Sequence, residues 1–499
     1  MKKEEHLTAT VHSVPSLCTS ADVQIKDGGE QPIRQGKARP VRADHGEVAT
    51  PYPIDTSQVL EAMMVRYAKS KRAQNVSFRK LVSWLKVGER ATHYLHPYPA
   101  KLLPQIAHFF LAAENLTKQG DAVLDPFGGS GTVALEAMLA GRRGLYADVN
   151  PLAQLIARVK TTPISSEKLR EAQMRMRQRY STTSECDIKK PDVVNLEYWY
   201  SSLVITSLSC IRNAIEAEKV REIREFMLVA FSATCRKVSR ADPRLSVPVR
   251  KKDGLDAIAT EDQVFEIFEE QCQTNIRRME ALRRWTNGEQ PIEVAKFVGN
   301  DARSLKQPAN DTECGSVKLR KNSVALIVTS PPYAGAQKYI RASSLNLGWL
   351  GLAGADGLKP LENASIGREH LPKISYSKLT LTGVEQADRL IRRIHDINPL
   401  RAAIVSTYMN EMKEALKEMA RVLRPGGHLI LVIGNNEVCG FPFKSADYLT
   451  TVCEQYGLKT KLRLIDEIKS RGLMTKRNKT ASVITREWVL LFHKPMEDR

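Results

Sequence analysis

The sequence predicts an α/β fold, in which a doubly wound parallel sheet carries a large, mainly helical insertion and a terminal antiparallel strand pair. Three observations predict it. Short apolar runs alternate with glycine turns and helical segments over residues 120–160, which is typical of strand–helix units. The alternation stops over residues 161–295, where apolar residues recur at spacings of three and four, as in helices. It resumes at residue 296, and two last apolar runs, 462–468 and 484–493, indicate the antiparallel pair.

The first strand–turn–helix unit is the clearest one. Residues 121–125 form a short apolar run that ends on an acidic residue, and glycines follow at once. Residues 132–139 then have helical spacing, and Gly141 is suited to end that helix. A second strand is predicted at residues 144–148, and Pro151 lies where the first turn of a helix tolerates proline. The order strand, glycine turn, helix, strand, helix is how a doubly wound sheet begins.

The periodicity divides the chain into four parts. Residues 1–55 are polar and show no sustained periodicity, so we expect a flexible N-terminal extension. Residues 56–160 would hold a helical lead-in, with two helices over residues 57–86, and the first half of the sheet domain. Residues 161–295 would form the helical insertion, and residues 296–499 the second half of the sheet domain.

The chain of 499 residues is strongly basic. Its 75 lysine and arginine residues exceed its 56 aspartate and glutamate residues, which gives a formal net charge of +19. Lysine and arginine that face phosphates release condensed counterions, so this excess favours a nucleic acid as the partner, with a merely soluble basic protein as the alternative. No apolar run of about 18 residues occurs, which argues against a membrane span, and the charged start argues against a secretory signal.

The eight cysteines indicate neither a metal site nor a disulfide framework. None of them forms a C-x-x-C pair, and none lies near a histidine at the spacing of zinc ligands. Sparse cysteines in a large chain are typical of free thiols in a reducing compartment. The sequence therefore predicts a cytoplasmic protein that binds no metal.

The most informative segment is Leu124–Thr132, here called the glycine loop, with the sequence LDPFGGSGT. Glycines allow the backbone to turn sharply off a strand and to approach a ligand closely, and the helix that follows begins with unpaired N–H groups. No lysine follows the last glycine, so the segment is not a P-loop, and the dinucleotide spacing G-x-G-x-x-G is not met. A purely structural strand–helix turn is the alternative.

An acidic residue also ends the second predicted strand. Asp148 lies 23 residues after Asp125, and a carboxylate in this position can accept both hydroxyls of a ribose, as it does in dinucleotide-binding folds. Such an acid by itself is more often a helix cap or a solvated side chain. The glycine loop that precedes Asp148 favours the binding role.

Thr329–Tyr333, here called the proline turn, follows the apolar strand that is predicted at residues 323–329. Two successive prolines fix a rigid, extended bend whose carbonyls are not used by local helical bonds. The glycine loop and the proline turn are expected at the carboxyl ends of neighbouring parallel strands, where open α/β sheets bind ligands. A core-packing turn with a buried tyrosine is the alternative for Tyr333.

The two motifs together resemble those of the DNA amino-methyltransferases, which transfer a methyl group from S-adenosylmethionine to cytosine N4 or adenine N6. The glycine loop is similar to their D-P-F-x-G-S-G-T loop, and the proline turn contains their S-P-P-Y motif. The resemblance implies a Rossmann-like class I methyltransferase sheet, and it covers residues 91–160 and 296–495. The block 161–295 departs from the family's pattern, which leaves the place of the target-recognition region open.

The resemblance also implies how S-adenosylmethionine is bound. In that family the positions of Phe127, Gly129 and Gly131 frame the methionine part of the cofactor. Asp125 would hold the cofactor's amino group, and Asp148 its ribose. The residues expected to bind the cofactor are Asp125, Phe127, Gly128, Gly129, Gly131, Thr132, Asp148, Asn150, Asp301, Ala302 and Lys101.

Two further segments are expected to contact the cofactor. Asp301 would accept a hydrogen bond from the adenine amino group, and the Ala302 N–H would face a ring nitrogen of the adenine. His93–Lys101, here called the aromatic segment, resembles the stretch that packs against the cofactor's methionine end in this family. A core-packing turn is the alternative for the aromatic segment.

The proline turn would hold the target base. An exocyclic amine is a poor nucleophile because its lone pair is delocalised into the ring, and two acceptors that grip its hydrogens favour the pyramidal geometry that attacks a methyl sulfonium. Ser330 Oγ and the Pro331 carbonyl would be these acceptors. Pro332 would stiffen the turn, and Tyr333 would stack on the base after extrusion from the duplex.

The first residue of the S-P-P-Y motif, Ser330, favours cytosine over adenine as the target base. Serine at the position of Ser330 is common among the N4-cytosine enzymes, and aspartate or asparagine is commoner among the N6-adenine enzymes. The prediction is therefore site-specific N4-methylation of cytosine in double-stranded DNA. Adenine N6-methylation, RNA guanine N2-methylation and a catalytically inert DNA-binding relative are the alternatives, and a restriction endonuclease or defence-system protein is expected as partner by resemblance only.

The insertion at residues 161–295 would carry the target-recognition surface. Its basic stretch, residues 236–252, is here called the arginine loop, and arginine forks can read guanine edges or grip phosphates. A helical lid with a merely solvated basic loop is the alternative. The residues expected to contact DNA are Arg236, Arg240, Arg244, Lys338 and Arg341.

Overall fold

The structure is a computed structural model, and it describes ten stretches of the chain. The predicted N-terminal extension lies outside them up to residue 53, and Lys338 lies outside them as well. Within these stretches the chain forms sixteen α-helices and ten β-strands. The described stretches are residues 54–99, 101–182, 191–251, 260–286, 293–305, 319–334, 339–353, 357–376, 379–468 and 484–496.

The helices lie before, between and after the strands. They are α1 (Ser57–Ser70), α2 (Phe78–Leu81), α3 (Pro104–Leu111), α4 (Thr132–Leu139), α5 (Pro151–Thr161), α6 (Ser166–Thr182), α7 (Leu196–Trp199), α8 (Ser202–Glu216), α9 (Arg221–Lys237), α10 (Glu261–Thr286), α11 (Tyr339–Ala342), α12 (Ser344–Trp349), α13 (Lys359–Ala364), α14 (Glu385–Ile397), α15 (Pro399–Val422) and α16 (Ser445–Gln455). Helices α3, α5 and α15 begin with a proline, whose missing N–H would have had no helical partner there.

Eight of the strands form one sheet, and β7 and β8 form a separate hairpin. The strands are β1 (Gln74–Val76), β2 (Ala122–Asp125), β3 (Arg143–Ala147), β4 (Lys296–Gly299), β5 (Val324–Thr329), β6 (Leu423–Ile433), β7 (Asn436–Val438), β8 (Phe441–Phe443), β9 (Lys459–Glu467) and β10 (Arg486–His493). Their order across the sheet is β1-β9-β10-β6-β5-β2-β3-β4.

The sheet confirms the predicted fold class. Strands β4, β3, β2, β5 and β6 run parallel to one another, with helices as their connections. Strand β10 runs antiparallel to both β6 and β9, which is the expected terminal strand pair. All residues of β2 and β5 are buried, as is typical of central strands covered by helices on both faces.

The two helices expected over residues 57–86 are present, but the second is short. Helix α1 spans four turns, but α2 is a single turn, and β1 lies between them as an edge strand paired with β9. Phe78 and Val82 are nevertheless fully buried, and the Phe78 ring packs edge-on against Phe109 with centroids 5.5 Å apart. The helical spacing of apolar residues here reflects burial by neighbouring helices rather than a long helix.

The insertion shares its core with the sheet domain. Phe226 and Phe231 of α9 are fully buried, and the Phe231 ring packs against Trp349 of α12. The Asn346 amide of the same helix α12 donates to the Ser232 carbonyl of α9 at 2.7 Å. Helices α11 and α12 follow the proline turn in the chain. This contact therefore joins the insertion to the segment that directly follows that turn in the sequence.

The described residues can be compared with what composition suggested about membrane spans, disulfides and metal sites. No helix in the ten described stretches is long and apolar enough to cross a membrane. The cysteines there that have no disulfide partner are Cys210, Cys235, Cys272, Cys439 and Cys453. Over the same stretches, histidine, cysteine and acidic side chains nowhere gather in a group of three or more that could hold a metal ion.

Candidate active site

The glycine loop turns the chain from β2 into α4. Gly129 and Gly131 adopt left-handed backbone conformations, with φ of 49° and 76°. A Cβ atom on Gly131 would lie 2.8 Å from the Ala157 Cβ of α5, so only glycine lets these two helices approach. The N–H of Gly128 donates to the Ala147 carbonyl at 2.8 Å and so ties the loop to the end of β3.

The proline turn lies beside the glycine loop. Strands β2 and β5 are hydrogen-bonded neighbours, with Leu124 opposite Ile327. At their carboxyl ends the Thr329 hydroxyl donates to Asp125 Oδ1 at 2.6 Å, and the Phe127 N–H donates to the same oxygen at 3.1 Å. One buried carboxylate therefore connects the two motifs, and its burial raises the pKa of Asp125 to about 7.

One cavity opens between the two motifs. Gly129 of the glycine loop and Ser330 of the proline turn both line it. Its volume is about 80 Å³, below the roughly 300–1,000 Å³ of pockets that enclose a drug-sized ligand. The described residues that line it are Tyr98, Pro126, Phe127, Gly129, Asp148, Val149, Asn150, Asn300, Asp301, Ala302, Ser330, Pro332, Tyr339, Ile340, Ala364, Ser365 and Ile366.

Asp148 stands on the cavity wall at the end of β3. Its Oδ2 accepts from the Gly129 N–H at 2.8 Å, and its Oδ1 accepts from the Asn150 N–H at 2.8 Å. Each oxygen keeps a lone pair for a further donor. Burial raises the pKa of Asp148 to about 6, which shows that these two hydrogen bonds only partly compensate the lost hydration of the charged form.

Asn150 contributes structure as well as cavity wall. Its side-chain oxygen accepts from the Leu152 N–H at 3.1 Å and so caps α5. Its amide nitrogen donates to the Tyr98 hydroxyl at 3.1 Å. Asn150 thereby fixes Tyr98, the residue of the aromatic segment that lines the cavity.

Asp301 is already engaged by a neighbour in the chain. The Arg303 guanidinium binds both of its oxygens, with 2.9 Å from Nε to Oδ1 and 2.9 Å from Nη2 to Oδ2. Arg303 in turn donates to Glu411 of α15 at 2.9 Å, and Arg368 donates to the same Glu411 oxygen at 2.6 Å. Sequence reasoning missed this network, although Arg303 lies two residues beyond Asp301.

Several predicted residues lie behind the cavity wall. Asp125 and Thr132 are buried, and the Cβ position of Gly128 faces the Tyr146 side chain. The Lys101 ammonium donates to the His96 carbonyl within the aromatic segment, and burial followed by nearby Arg278 lowers its pKa to about 8. The predicted cofactor-binding and catalytic residues that are described but do not line the cavity are Asp125, Gly128, Gly131, Thr132, Lys101, Pro331 and Tyr333.

Tyr333 has its ring inside the protein. The residue is 6% exposed, and its hydroxyl donates to Glu487 Oε1 of β10 at 2.8 Å. A Cβ on Gly434 would lie 2.8 Å from Tyr333 Cε2, so that glycine makes room for the ring. The stacking of Tyr333 on a target base stays a prediction.

The segment Ala364–Ile366 is a wall that sequence reasoning missed. It begins at the last residue of α13, carries no motif and lies more than thirty residues beyond the proline turn. Gly367 comes next, with a left-handed φ of 80°, and its Cβ position lies 3.4 Å from the Pro332 Cβ. Together with Tyr339 and Ile340 of α11, this segment completes the side of the cavity next to the proline turn.

A buried ionic cluster supports the glycine loop from behind. Glu136 of α4 is 1% exposed, and its Oε1 accepts from Arg90 Nε at 2.7 Å. The same carboxylate contacts His93 of the aromatic segment at 2.7 Å and His108 of α3 at 3.0 Å. Burial alone would raise the pKa of Glu136, but Arg90 and the two histidines hold it well below its usual range.

Replacing Glu136 by glutamine should destabilise the protein by about 3–5 kcal/mol, because Arg90 would keep a buried charge without its partner. The expected loss is greatest at neutral pH. A carboxyl group whose pKa is lowered on folding stabilises the protein above its unfolded pKa, and this stabilisation fades as the pH falls. Denaturant unfolding at pH 7.5 and pH 4 would measure it. Glu280→Gln is the control, since its partner Arg170 is 58% exposed and such pairs contribute about 1 kcal/mol or less.

The predicted DNA contacts differ in their surroundings. Arg236 is half-buried, and its Nη2 donates to the carbonyls of Asp242 and Leu245 at 3.2 and 2.7 Å, so it holds the arginine loop in shape. Arg240 donates to the Glu197 carbonyl at 2.8 Å. The Arg244 side chain is 84% exposed and pairs with Asp242.

The arginine loop is built as a short hairpin. The Asp242 N–H donates to the Val249 carbonyl at 2.7 Å, and the Lys251 N–H donates to the Arg240 carbonyl at 2.9 Å. These bonds pair the two ends of the loop, and Arg250 packs over the ring of Tyr198 in α7. Of the two contacts predicted after the proline turn, Lys338 lies outside the described residues, and Arg341 is exposed on α11 next to the cavity-lining Ile340.

Comparison with known proteins finds similarity to DNA methylases. The family model described as DNA methylase, of the N6/N4 methyltransferase type, matches residues 50–158, which include the glycine loop. The type II methyltransferase M.MvaI of Kocuria varians is 24% identical over 408 residues, covering 79% of this chain and 87% of that protein. M.BsoBI of Geobacillus stearothermophilus is 20% identical over 466 residues, covering 84% of this chain and 88% of that protein.

Further matches are a short sequence match and matches to solved structures. The type II methyltransferase M.MjaII of Methanocaldococcus jannaschii is 37% identical over 79 residues, 16% of this chain and 14% of that protein. A Thermus thermophilus structure complexed with S-adenosyl-L-methionine is 19% identical, covers 36% of this chain and 51% of its own, and has a TM-score of 0.18. The rRNA methyltransferase aviRa of Streptomyces viridochromogenes is 12% identical, covers 84% and 96%, and has a TM-score of 0.32.

The family match and the two long sequence matches agree with the motifs from which the resemblance started. The family model covers the glycine loop, and both long relatives are matched over more than four fifths of their length. Over the matched residues the chain is similar to the S-adenosylmethionine-dependent DNA amino-methyltransferases of the N4/N6 type.

Proposed function

We propose that this protein methylates the N4 amine of cytosine at a specific site in double-stranded DNA, after the base has been flipped out of the duplex. One observation carries the proposal. Gly129 of the glycine loop and Ser330 of the proline turn line one cavity at the carboxyl ends of adjacent parallel strands. Cofactor and target amine can thus meet in a single site.

The residues at the cavity suit S-adenosylmethionine. Asp148 offers a free lone pair on each carboxylate oxygen for the two ribose hydroxyls. Phe127 offers an apolar wall, and Gly129 has no side chain to block the methionine part. The Asp301 carboxylate, oriented by Arg303, would accept from the adenine amino group. The chemistry that the bound cofactor supplies is a methyl group on a positively charged sulfur, which is reactive toward an amine.

The proline turn would prepare the amine. Ser330 Oγ and the Pro331 carbonyl are neighbours in a backbone that two prolines make rigid, so the proposed acceptors of the amine hydrogens would be held close to each other. Asp125 and Thr329 hold this turn against the glycine loop. The short, rigid connection supports transfer by positioning, which is the main contribution that such a site can make.

The choice of cytosine rests on Ser330. A serine hydroxyl is neutral and compact, and the family's N4-cytosine members commonly have it at this position. Adenine N6 is the main alternative, because the family comprises enzymes of both types.

The test incubates the full chain with methyl-tritiated S-adenosylmethionine and separate pools of double-stranded DNA and RNA. Nucleoside chromatography of the labelled pool should then give N4-methylcytosine. N6-methyladenine would correct the base, and label in RNA alone would overturn the DNA assignment. Absence of label from DNA of every sequence tried, with cofactor binding retained, would favour the inert relative.

We propose that the arginine loop contacts the DNA backbone or bases. Changing both Arg240 and Arg244 to glutamine should weaken DNA binding. Removing two phosphate contacts should also make the plot of log binding constant against log salt concentration less steep, by roughly 2 in the magnitude of its slope. Arg236 is left unchanged because it holds the loop. Fluorescence anisotropy over a salt series measures both quantities.

The control for this pair lies on α6. Arg170 and Arg177 are also exposed and paired with glutamates, and their double change to glutamine removes the same charge elsewhere. Equal losses in both double variants would indicate a general charge effect. Unchanged affinity of the Arg240/Arg244 variant at low salt would reject the contact.

The cellular setting is inferred from the relatives. M.MvaI and M.BsoBI are both named type II methyltransferases. We therefore propose a cytoplasmic role in restriction–modification, with an endonuclease of the same sequence specificity as the functional partner. When this protein is expressed together with such an endonuclease, it should protect host DNA from cleavage, and the Ser330→Ala variant should not.

A further inference from the structure

Three polar side chains lead from the cavity wall into the protein. Ser330 lines the cavity; burial raises the pKa of Tyr333, three residues further on, and the Ser330 side chain acts in the opposite direction. Tyr333 in turn donates to Glu487 Oε1 at 2.8 Å. Ser330 and Tyr333 belong to the proline turn, but Glu487 lies on β10, 154 residues further along the chain.

The fold holds these side chains in place. Strand β10 pairs with β6, with Trp488 opposite Ile433, and this pairing brings Glu487 beneath the proline turn. The Tyr333 ring fills the space left by Gly434 and lies near Ile484, so it has little freedom to move. A tyrosine needed only for stacking would not require a carboxylate partner for its hydroxyl.

We propose that Ser330, Tyr333 and Glu487 form a proton relay that removes a proton from the target amine when it is methylated. The proposal rests on the proposed function, because it needs an exocyclic amine at Ser330. Glu487 acts through Tyr333 and Ser330 rather than by touching the base, so it is a positioning residue.

The relay balances in atoms and charge. Forming the new N–C bond, as the S–C bond of the methyl donor breaks, leaves the amine nitrogen with a positive charge and one surplus hydrogen. That N–H bond breaks, and the proton passes to Ser330 Oγ, while the serine hydrogen passes to Tyr333 Oη. The tyrosine hydrogen passes to Glu487, which becomes a neutral acid, and the product amine and the thioether are both uncharged. The Tyr333 hydroxyl already donates to Glu487, and the Ser330 hydroxyl is free to rotate about its C–O bond.

The surroundings of Glu487 suit a proton acceptor. Its burial, followed by the charge of Asp466 on the adjacent β9, raises its pKa, while the Tyr333 hydroxyl and Arg79 of α2 act in the opposite direction. A raised pKa brings a carboxylate closer to the range in which general bases work near neutral pH. The relay needs the carboxylate form, so its contribution should be lost as the pH falls through the pKa of Glu487.

The test compares single-turnover methylation by the full chain with prebound S-adenosylmethionine and a duplex that contains the target site. Glu487→Gln and Tyr333→Phe should each lower the rate by about 10-fold to 100-fold, as expected for loss of general-base assistance. The double variant should lose no more than the slower single variant, because both residues belong to one path. The acidic fall of the pH–rate profile should be weaker in Glu487→Gln.

The control variant is Glu467→Gln on the neighbouring β9. Its side chain is 67% exposed, and its rate should equal that of the unchanged protein. Thermal unfolding and calorimetric cofactor affinity should be the same for Glu487→Gln and the unchanged protein. A carboxylic-acid infrared band that appears on acidification without cofactor, and is missing in Glu487→Gln, would show the titration independently of turnover.

The outcomes separate the relay from the proposed function. Full rate and an unchanged pH profile in Glu487→Gln, with normal DNA methylation by the unchanged protein, would overturn the relay and leave the function standing. Losses that multiply in the double variant would also overturn it, because they would indicate two independent structural effects. If the unchanged protein methylates no exocyclic amine, the proposed function fails first, and the relay falls with it.

Discussion

Ser330→Ala should lower the single-turnover rate of DNA methylation by about 100-fold to 1,000-fold, the range found when one preorganised acceptor or donor is removed from an active site. The serine hydroxyl is one of two acceptors proposed for the amine hydrogens, and alanine removes it without adding bulk. The Pro331 carbonyl would remain, so some activity should persist. Rapid-quench measurement with prebound cofactor isolates this step from product release.

Ser330→Ala should lower the methylation rate without changing the affinity for the cofactor. The cofactor would contact Phe127, Gly129 and Asp148, none of which changes, so calorimetry should give the same affinity for Ser330→Ala as for the unchanged protein. Ser365→Ala is the matched control, because Ser365 also lines the cavity but its hydroxyl donates to the Leu361 carbonyl at 2.8 Å. A full rate in Ser330→Ala would remove the acceptor role, and an equal loss in Ser365→Ala would indicate general damage to the cavity.

The parts of the fold that sequence could predict are encoded locally. The glycine loop needs left-handed conformations at Gly129 and Gly131, and a glycine-rich stretch between an apolar run and a helical run predicts such a turn. The proline turn is likewise recognisable from five consecutive residues. Parallel neighbours then bring both motifs to one edge of the sheet, as the order of β2 and β5 confirms.

The parts that could not be predicted depend on contacts distant in the chain. Arg303 and Glu411 are 108 residues apart, and Tyr333 and Glu487 are 154 apart. No spacing rule connects residues at such separations, since only the folded sheet and α15 bring them together. The wall at Ala364–Ile366 is missed for the same reason: it is irregular in conformation and carries no motif.

Arg236 illustrates how composition can mislead. It stands in a basic stretch, which suggests a solvated or DNA-facing side chain, yet its guanidinium is turned inward onto two backbone carbonyls. A guanidinium with five donors is well suited to hold a loop together. Charge patterns predict the presence of a basic loop, but tertiary structure decides which arginines remain available on its surface.

Asp148→Asn should weaken the binding of S-adenosylmethionine by about 10-fold to 100-fold, because hydrogen bonds to a charged acceptor contribute more than those to a neutral amide. Asparagine can still accept from the Gly129 or Asn150 N–H, so the glycine loop should keep its shape. The control is Asp121→Asn. Asp121 directly precedes β2, at the end of that strand opposite to the cavity. Asp121 pairs with Arg424 far from the cavity, and its change should leave cofactor affinity unaltered.

The pH dependence of binding distinguishes a ribose contact from a structural role. Burial raises the pKa of Asp148 to about 6, so about half of the free protein carries a neutral acid there at that pH. Ribose hydroxyls bind the carboxylate better, so affinity should fall roughly tenfold between pH 7.5 and pH 5 through this group alone. Asp148→Asn should abolish this fall in affinity; if the fall survives the change unaltered, Asp148 does not bind the cofactor.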